Sequence, residues 1–173
     1  MREFDTGNFN IFAASRRSTR DFLPTPVPDE VIEEIIAAGL TSPSWSNTRP
    51  FVVAVAEGEV RNRLSAEFLS RFELVKMGQG EGIFGKIKAL IRRKGLPTSN
   101  WLVLKRYHKD LLPRSQRIGK ELFTQMGIDR DDKDARDRFW ARNYEFFGAP
   151  VELFLFTHKS LGKFAASDAG LFM

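Results

Sequence analysis

Arg16-Arg17-Ser18-Thr19-Arg20 sets three guanidinium groups and two hydroxyls in five consecutive residues. In extended backbone, side chains alternate faces, so Arg16, Ser18 and Arg20 project to one side. The outer two arginines then stand roughly 13 Å apart, at about 3.3 Å per residue. Guanidinium forks match phosphate and carboxylate oxygens in pairs, and a serine between them adds a small donor. Such a face would hold a phosphate at one end of a ligand and a second electron-rich group at the other. The same five residues also suit a solvated basic turn.

Working outward, Asn8 to Ser15 reads as a short helix feeding the arginines, with Phe9, Ile11, Phe12 and Ala13 as its apolar residues. On the other side, the alternating prolines 24, 26 and 28 hold the chain extended. Asp29 to Leu40 is a helix with acidic residues in its first turns and an apolar stripe of Val31, Ile32, Ile35, Ile36 and Leu40. Ser42 to Pro50 has the composition of a loop dense in small donors, with an Asn47 amide that can both give and accept hydrogen bonds. By itself this loop also suits an ordinary capping turn with Trp45 as an apolar plug. Phe51 to Ala56 is wholly apolar and suits a buried strand.

Glu59 to Leu74 carries Leu64, Phe68, Phe72 and Val75 on one helical face, and Gly78, Gly80 and Gly82 are expected to break that pattern. Their Gly-x-Gly-x-Gly spacing follows no strand and is no dinucleotide fingerprint. Ile83 to Lys94 is basic and amphipathic, open to reading as a lid, a membrane-surface or partner-docking helix, or a helix packed over the domain. Ser115 to Met126 is a further helix. The Asp129, Asp131, Asp132 and Asp134 cluster suits the electrostatics of a helix start better than a metal site, and that helix is expected to run to about Phe147. Val151 to Thr157 is the second clear strand, and a last helix begins near Phe164. Two strands alone make a marginal sheet, so the chain reads as the front part of a longer protein.

The whole chain fits one domain of 173 residues, with 42% hydrophobic and 28% charged residues, so a packed core is expected. Sixteen phenylalanines point to aromatic packing or a large apolar interface. There is no cysteine, which excludes disulfides and thiolate metal sites and fits a reducing compartment. Two histidines make a histidine metal centre a poor reading, and no metal is expected. The first residues lack the apolar core of a signal peptide, and no apolar run reaches membrane-spanning length. The net charge of +5 is local: eight basic and no acidic residues lie between Lys86 and Lys109, and the remainder is net negative. That segment is expected to be part of an insertion at about 76–112. On charge alone it would suit a module that binds anionic membrane or nucleic acid.

Four segments together carry a resemblance. Arg16-Arg17-Ser18-Thr19-Arg20-Asp21-Phe22 resembles the first signature of the nitroreductase family of FMN-dependent NAD(P)H oxidoreductases. Ser42-Pro43-Ser44-Trp45-Ser46-Asn47-Thr48-Arg49-Pro50-Phe51 is similar to its second, with Arg49 where glutamine is usual and Phe51 where tryptophan is usual. Asn143 to Pro150 and Asp168 to Met173 resemble later family segments. The resemblance implies an α+β fold, with helices packed around a central, mostly antiparallel sheet, in an intertwined homodimer whose C-terminal strands this chain lacks. It implies that Arg16, Arg17 and Ser18 hold the FMN phosphate and ribityl chain, and that Arg20 lies beside the flavin N1/O2 edge. Pro43, Ser44 and Asn47 would reach the flavin held mainly by the other subunit. The implied activity is hydride transfer from NAD(P)H through flavin N5 to a nitroaromatic, quinone or similar acceptor, in the cytoplasm, with no nucleic-acid partner and no stable membrane insertion. An inactive relative that dimerises without turnover is the alternative within the family.

Overall fold

The computed structural model describes residues 6–80 and 107–173. The basic segment from Ile83 to Lys94 lies outside them. Helix α1 (Thr6–Ser15) precedes the arginine cluster, and α2 (Asp29–Leu40) follows the proline-rich segment. Pro28 accepts from the Val31 and Ile32 amides, so the proline sits where a helix start tolerates it. A single 3-10 turn, Trp45–Asn47, leads into strand β1 (Val52–Glu57) and then α3 (Gly58–Gly80). Helices α4 (Leu112–Gln125) and α5 (Lys133–Ala141) come next, followed by β2 (Val151–Phe156) and α6 (Lys163–Phe172).

Strands β1 and β2 pair antiparallel, from Val52 opposite Phe156 to Glu57 opposite Val151. Helix α3 covers one face of this ribbon, where Phe68 meets Phe146 and Phe154 edge-on at 6.0 and 6.4 Å. The small core around them contains Ile32, Ala56, Phe139, Phe146 and Ala149, all under 10% exposed. Phe123 and Phe139 join α4 to α5 at 5.8 Å. Helix α6 packs on α2 at Gly39, where a Cβ would lie 2.7 Å from the Phe172 ring; only a glycine allows that approach without a shift.

Three expectations change. The apolar strand at 51–56 is not buried: only Ala56 is enclosed, while Val52 is exposed at the far end of the same face and Val55 is exposed on the opposite face. Gly78 lies inside α3 rather than breaking it, Gly80 is its last residue, and Gly82 lies outside the described residues. A helical glycine costs about 1 kcal/mol against alanine, which a helix of 23 residues tolerates near its end. The helix expected to reach Phe147 stops at Ala141. Phe146 and Phe147 adopt left-handed φ of 54° and 52°, and Pro150 disfavours helix in the residue before it. The acidic cluster does start a helix: the Asp132 carboxylate caps α5 by accepting from the Ala135 amide at 2.8 Å.

Candidate flavin-binding half-sites

The four signature segments come together as two pairs. The first pair joins residues 16–22 to residues 142–149. The Arg142 guanidinium donates to the Asp21 carboxylate at 2.6 Å and lies over the Phe147 ring at 5.9 Å. The Phe22 amide donates to the Phe147 carbonyl at 3.1 Å. Gly148, at φ +81°, passes under this contact, where a Cβ would stand 3.5 Å from the Phe22 carbonyl oxygen. Arg61 of α3 fastens the same turn from the other side. It donates to the Ala149 carbonyl at 3.0 Å, to the Glu145 carbonyl, and stands 5.2 Å from the Phe146 ring centre.

Within the arginine segment the three guanidinium groups are not equivalent. Arg17 folds back and donates to the Ala14 and Arg16 carbonyls at 2.9 and 3.0 Å, where a cation favours the end of α1. Arg20 makes one long bond, 3.4 Å, to the Ser18 carbonyl. Arg16 has no side-chain partner among the described residues, and all three are exposed. The adjacent acid in the chain, Asp21, is already engaged by Arg142, so it does not neutralise the segment.

The second pair joins the loop 42–51 to α6. Both oxygens of Asp168, which is 3% exposed, accept the Trp45 amide at 3.1 Å. The Trp45 ring stacks on Phe164 at 3.9 Å and 15°, and Phe51 meets Phe172 at 5.0 Å. Ser46, Asn47 and Arg49 all have left-handed φ, between 45° and 53°. Non-glycine residues in that region carry strain, which persists only where surrounding contacts hold it. The Arg49 amide donates to Ser44 Oγ at 2.8 Å, and Arg49 Nε donates to Asn47 Oδ1 at 3.3 Å. Ser44 therefore keeps its O–H to give, and Asn47 keeps its NH₂. Pro43 is exposed at the start of this loop.

The two pairs are anchored at opposite ends of the ribbon. Trp45 and Phe51 lead into Val52, and the Phe147 turn leads into Val151, which pairs with Glu57. Five strand steps separate those ends, about 17 Å. Among the described residues, no hydrogen bond or ring contact joins 16–20 to 43–47. The sequence-derived site is thus brought together within each half and kept apart between halves.

Two cavities, about 460 and 370 Å³, flank Phe146 and Glu152, and neither is lined by residues 16–20 or 43–47. Burial pushes the Glu152 carboxyl above its ordinary range, with the Arg61 charge pulling the other way. Three residues that shape the halves were assigned no site role from the sequence: Arg61, Arg142 and Asp168, the last named only as the start of a resembling segment. Asp168 leaves a trace, since it is the lone charged residue in the stretch from Phe164 to Met173. No such signal marks Arg61 or Arg142. Among the described residues, no cluster of histidine, aspartate and glutamate is placed to hold a metal, and no helix is long and apolar enough to cross a membrane.

This α+β architecture, with its paired signatures, defines a class. Residues 13–173 match the Nitroreductase family, and the chain belongs to it. The 4-nitrobenzoate reductase of Pseudomonas putida is 33% identical over 168 residues, covering 97% of this chain and 65% of that protein. The nitrobenzene nitroreductase of Ectopseudomonas oleovorans is 30% identical over 138 residues, covering 80% of this chain and 53% of that protein. Among solved structures, the FMN and NADPH-dependent nitroreductase NfnB from Sphigopyxis sp. strain HMH superposes with a TM-score of 0.70 at 26% identity, over 94% of this chain and 66% of that one. The chain thus spans between half and two thirds of the length of these curated relatives.

Proposed function

We propose that this chain forms the core of an FMN-dependent NAD(P)H oxidoreductase that reduces nitroaromatic or quinone-like acceptors. The observation that carries this reading is the pairing of the four signatures into two donor-bearing halves. One half exposes Arg16, Ser18 and Arg20. The other leaves the Ser44 O–H and the Asn47 NH₂ free to donate, beside Pro43. This is the complement of an anionic phosphate, a hydroxylated chain and a ring edged with carbonyl oxygens and nitrogens, so the residues present fit FMN. Arg16 would hold the phosphate, and Ser18 the ribityl chain. Arg17, turned back to α1, would fix the segment as well as add charge. Arg20 would face the ring edge where reduction places negative charge. When bound, FMN supplies reversible two-electron transfer, accepting hydride from NAD(P)H and passing electrons to the acceptor. The chain's own task is to hold and polarise it, with no catalytic acid or base required.

Because the halves sit at opposite ends of one ribbon, the site is completed in a homodimer, the arginine half of one protomer meeting the Ser44–Asn47 half of its partner. The exposed Ile11 and Phe12 of α1 supply apolar surface for such an interface. We place the protein in the cytoplasm, where NAD(P)H is available. The basic charge of the expected insertion at about 76–112 would steer anionic ligands at low salt. The test is FMN binding followed by fluorescence, together with NADPH oxidation using 4-nitrobenzoate as acceptor. Arg16→Ala is expected to weaken FMN binding by about tenfold, from a lost charge-assisted contact of ~1.5 kcal/mol or more. A protein that takes up no FMN overturns the reading.

A further inference from the structure

Arg49 stands where the family's second signature usually has glutamine, and it organises the loop around itself. Its backbone amide occupies Ser44 Oγ, and its side-chain Nε occupies Asn47 Oδ1. Both acceptor atoms of the half-site are thereby taken by one residue. What remains on Ser44 and Asn47 is one O–H and one NH₂ to donate, with a single lone pair left on each oxygen. An amide whose oxygen accepts from a cation is also polarised, so its N–H groups become stronger donors. Arg49 holds this arrangement with φ of 45° and its guanidinium exposed, with no carboxylate partner among the described residues to neutralise it.

We infer that Arg49 is a positioning residue of the flavin half-site: it orients Asn47 as a donor and adds a positive charge that favours the reduced cofactor. This rests on the flavin reading above. Two electrons and one proton convert the neutral oxidised ring into a reduced ring with one negative charge. Free donors and a nearby cation therefore interact more strongly with the reduced form than with the oxidised one. Glutamine at this position could still donate to Asn47 but would carry no charge. Lysine would keep the charge without the planar Nε–H. The two functions of Arg49 are therefore separable.

The test measures FMN dissociation by fluorescence and the flavin midpoint potential by redox titration, on the FMN-loaded protein and its variants. Arg49→Gln is expected to leave oxidised FMN affinity within about twofold. Its preference for reduced over oxidised FMN is expected to fall about three- to tenfold. That fall reads as a potential about 15–30 mV lower, at roughly 30 mV per tenfold for a two-electron couple. Arg49→Lys is expected to show the opposite split, with affinity for oxidised FMN about three- to tenfold weaker and a potential close to native. A purely structural role would lower the unfolding midpoint of both variants and move neither cofactor quantity. Native affinity and native potential in both variants would overturn the inference while leaving the flavin reading intact. Failure of the unsubstituted protein to take up FMN would remove both.

Discussion

Replacing Asp168 by alanine isolates the tie between α6 and the loop that carries Ser44 and Asn47. The carboxylate is 3% exposed, and its two oxygens share one donor, the Trp45 amide, at 3.1 Å each. Alanine leaves that amide without an acceptor in a part-buried position, which costs about 1–3 kcal/mol. The Trp45–Phe164 stack at 3.9 Å depends on the same backbone position. Its loosening forfeits part of the ~0.5–1.5 kcal/mol that such ring pairs contribute. In the other direction, a carboxylate no longer has to be desolvated. The net expectation is a loss of about 1.5–3 kcal/mol, which lowers the thermal midpoint by roughly 3–12 °C at about 2–4 °C per kcal/mol. Asp168→Asn retains a carbonyl acceptor for Trp45 and should lose less than half as much. Urea unfolding followed by circular dichroism, with tryptophan fluorescence as a second probe, gives both values. An alanine variant as stable as the native protein, or more stable than the asparagine variant, would refute the reasoning. It would mean that relief of the buried charge outweighs the hydrogen bond.

Two further outcomes follow from the other end of the ribbon. Arg61→Ala removes the donors to the Ala149 and Glu145 carbonyls and the cation over Phe146. A loss of about 2–4 kcal/mol in urea unfolding is expected, and an unchanged midpoint would show that solvent replaces those contacts. Glu152, whose carboxyl burial holds above the ordinary 4.5, sets a pH dependence. Between the unfolded and folded values the native state binds the proton that the unfolded chain releases, so stability falls as pH rises through that window and stays lower above it. Glu152→Gln is expected to remove this slope and to be more stable than the native protein at neutral pH. Superimposable stability–pH curves for the two proteins would contradict it.

Much of the local structure is legible in the sequence because its causes are local. Alternating prolines keep 24–28 extended, Pro28 and the acids after it start α2, and Asp132 caps α5. The residues 142–149 illustrate the limit. Their apolar spacing continues the pattern of α5, but the chain leaves the helix because Phe22 and Arg61 bind carbonyls of the turn. Those partners lie some 85 to 125 positions away, and periodicity carries no information at that range. The same holds for β1, whose uniform apolarity reads as full burial although only Ala56 is enclosed. At the candidate site, residue types and spacing identify which segments matter. They do not show that Arg17 turns back to α1, or that Arg49 takes up the acceptors of Ser44 and Asn47. These are facts of side-chain direction, set after the backbone is in place.

The ties that build the two halves also govern when they can form. Asp168 reaches Trp45 across 123 positions, Arg142 reaches Asp21 across 121, and Arg61 reaches Ala149 across 88. On a ribosome, the second signature therefore emerges long before the residue that fixes it. Until β2 is made, β1 has no partner strand, and until α6 follows it, the strained 46–49 loop has no Asp168 to anchor it. Closing such long loops precedes any reward in contacts, which makes folding slow and leaves strand edges and phenylalanines open to other chains. Expression yield in this protein should accordingly respond to translation speed, temperature and chaperone supply more than to substitutions on its outer surface.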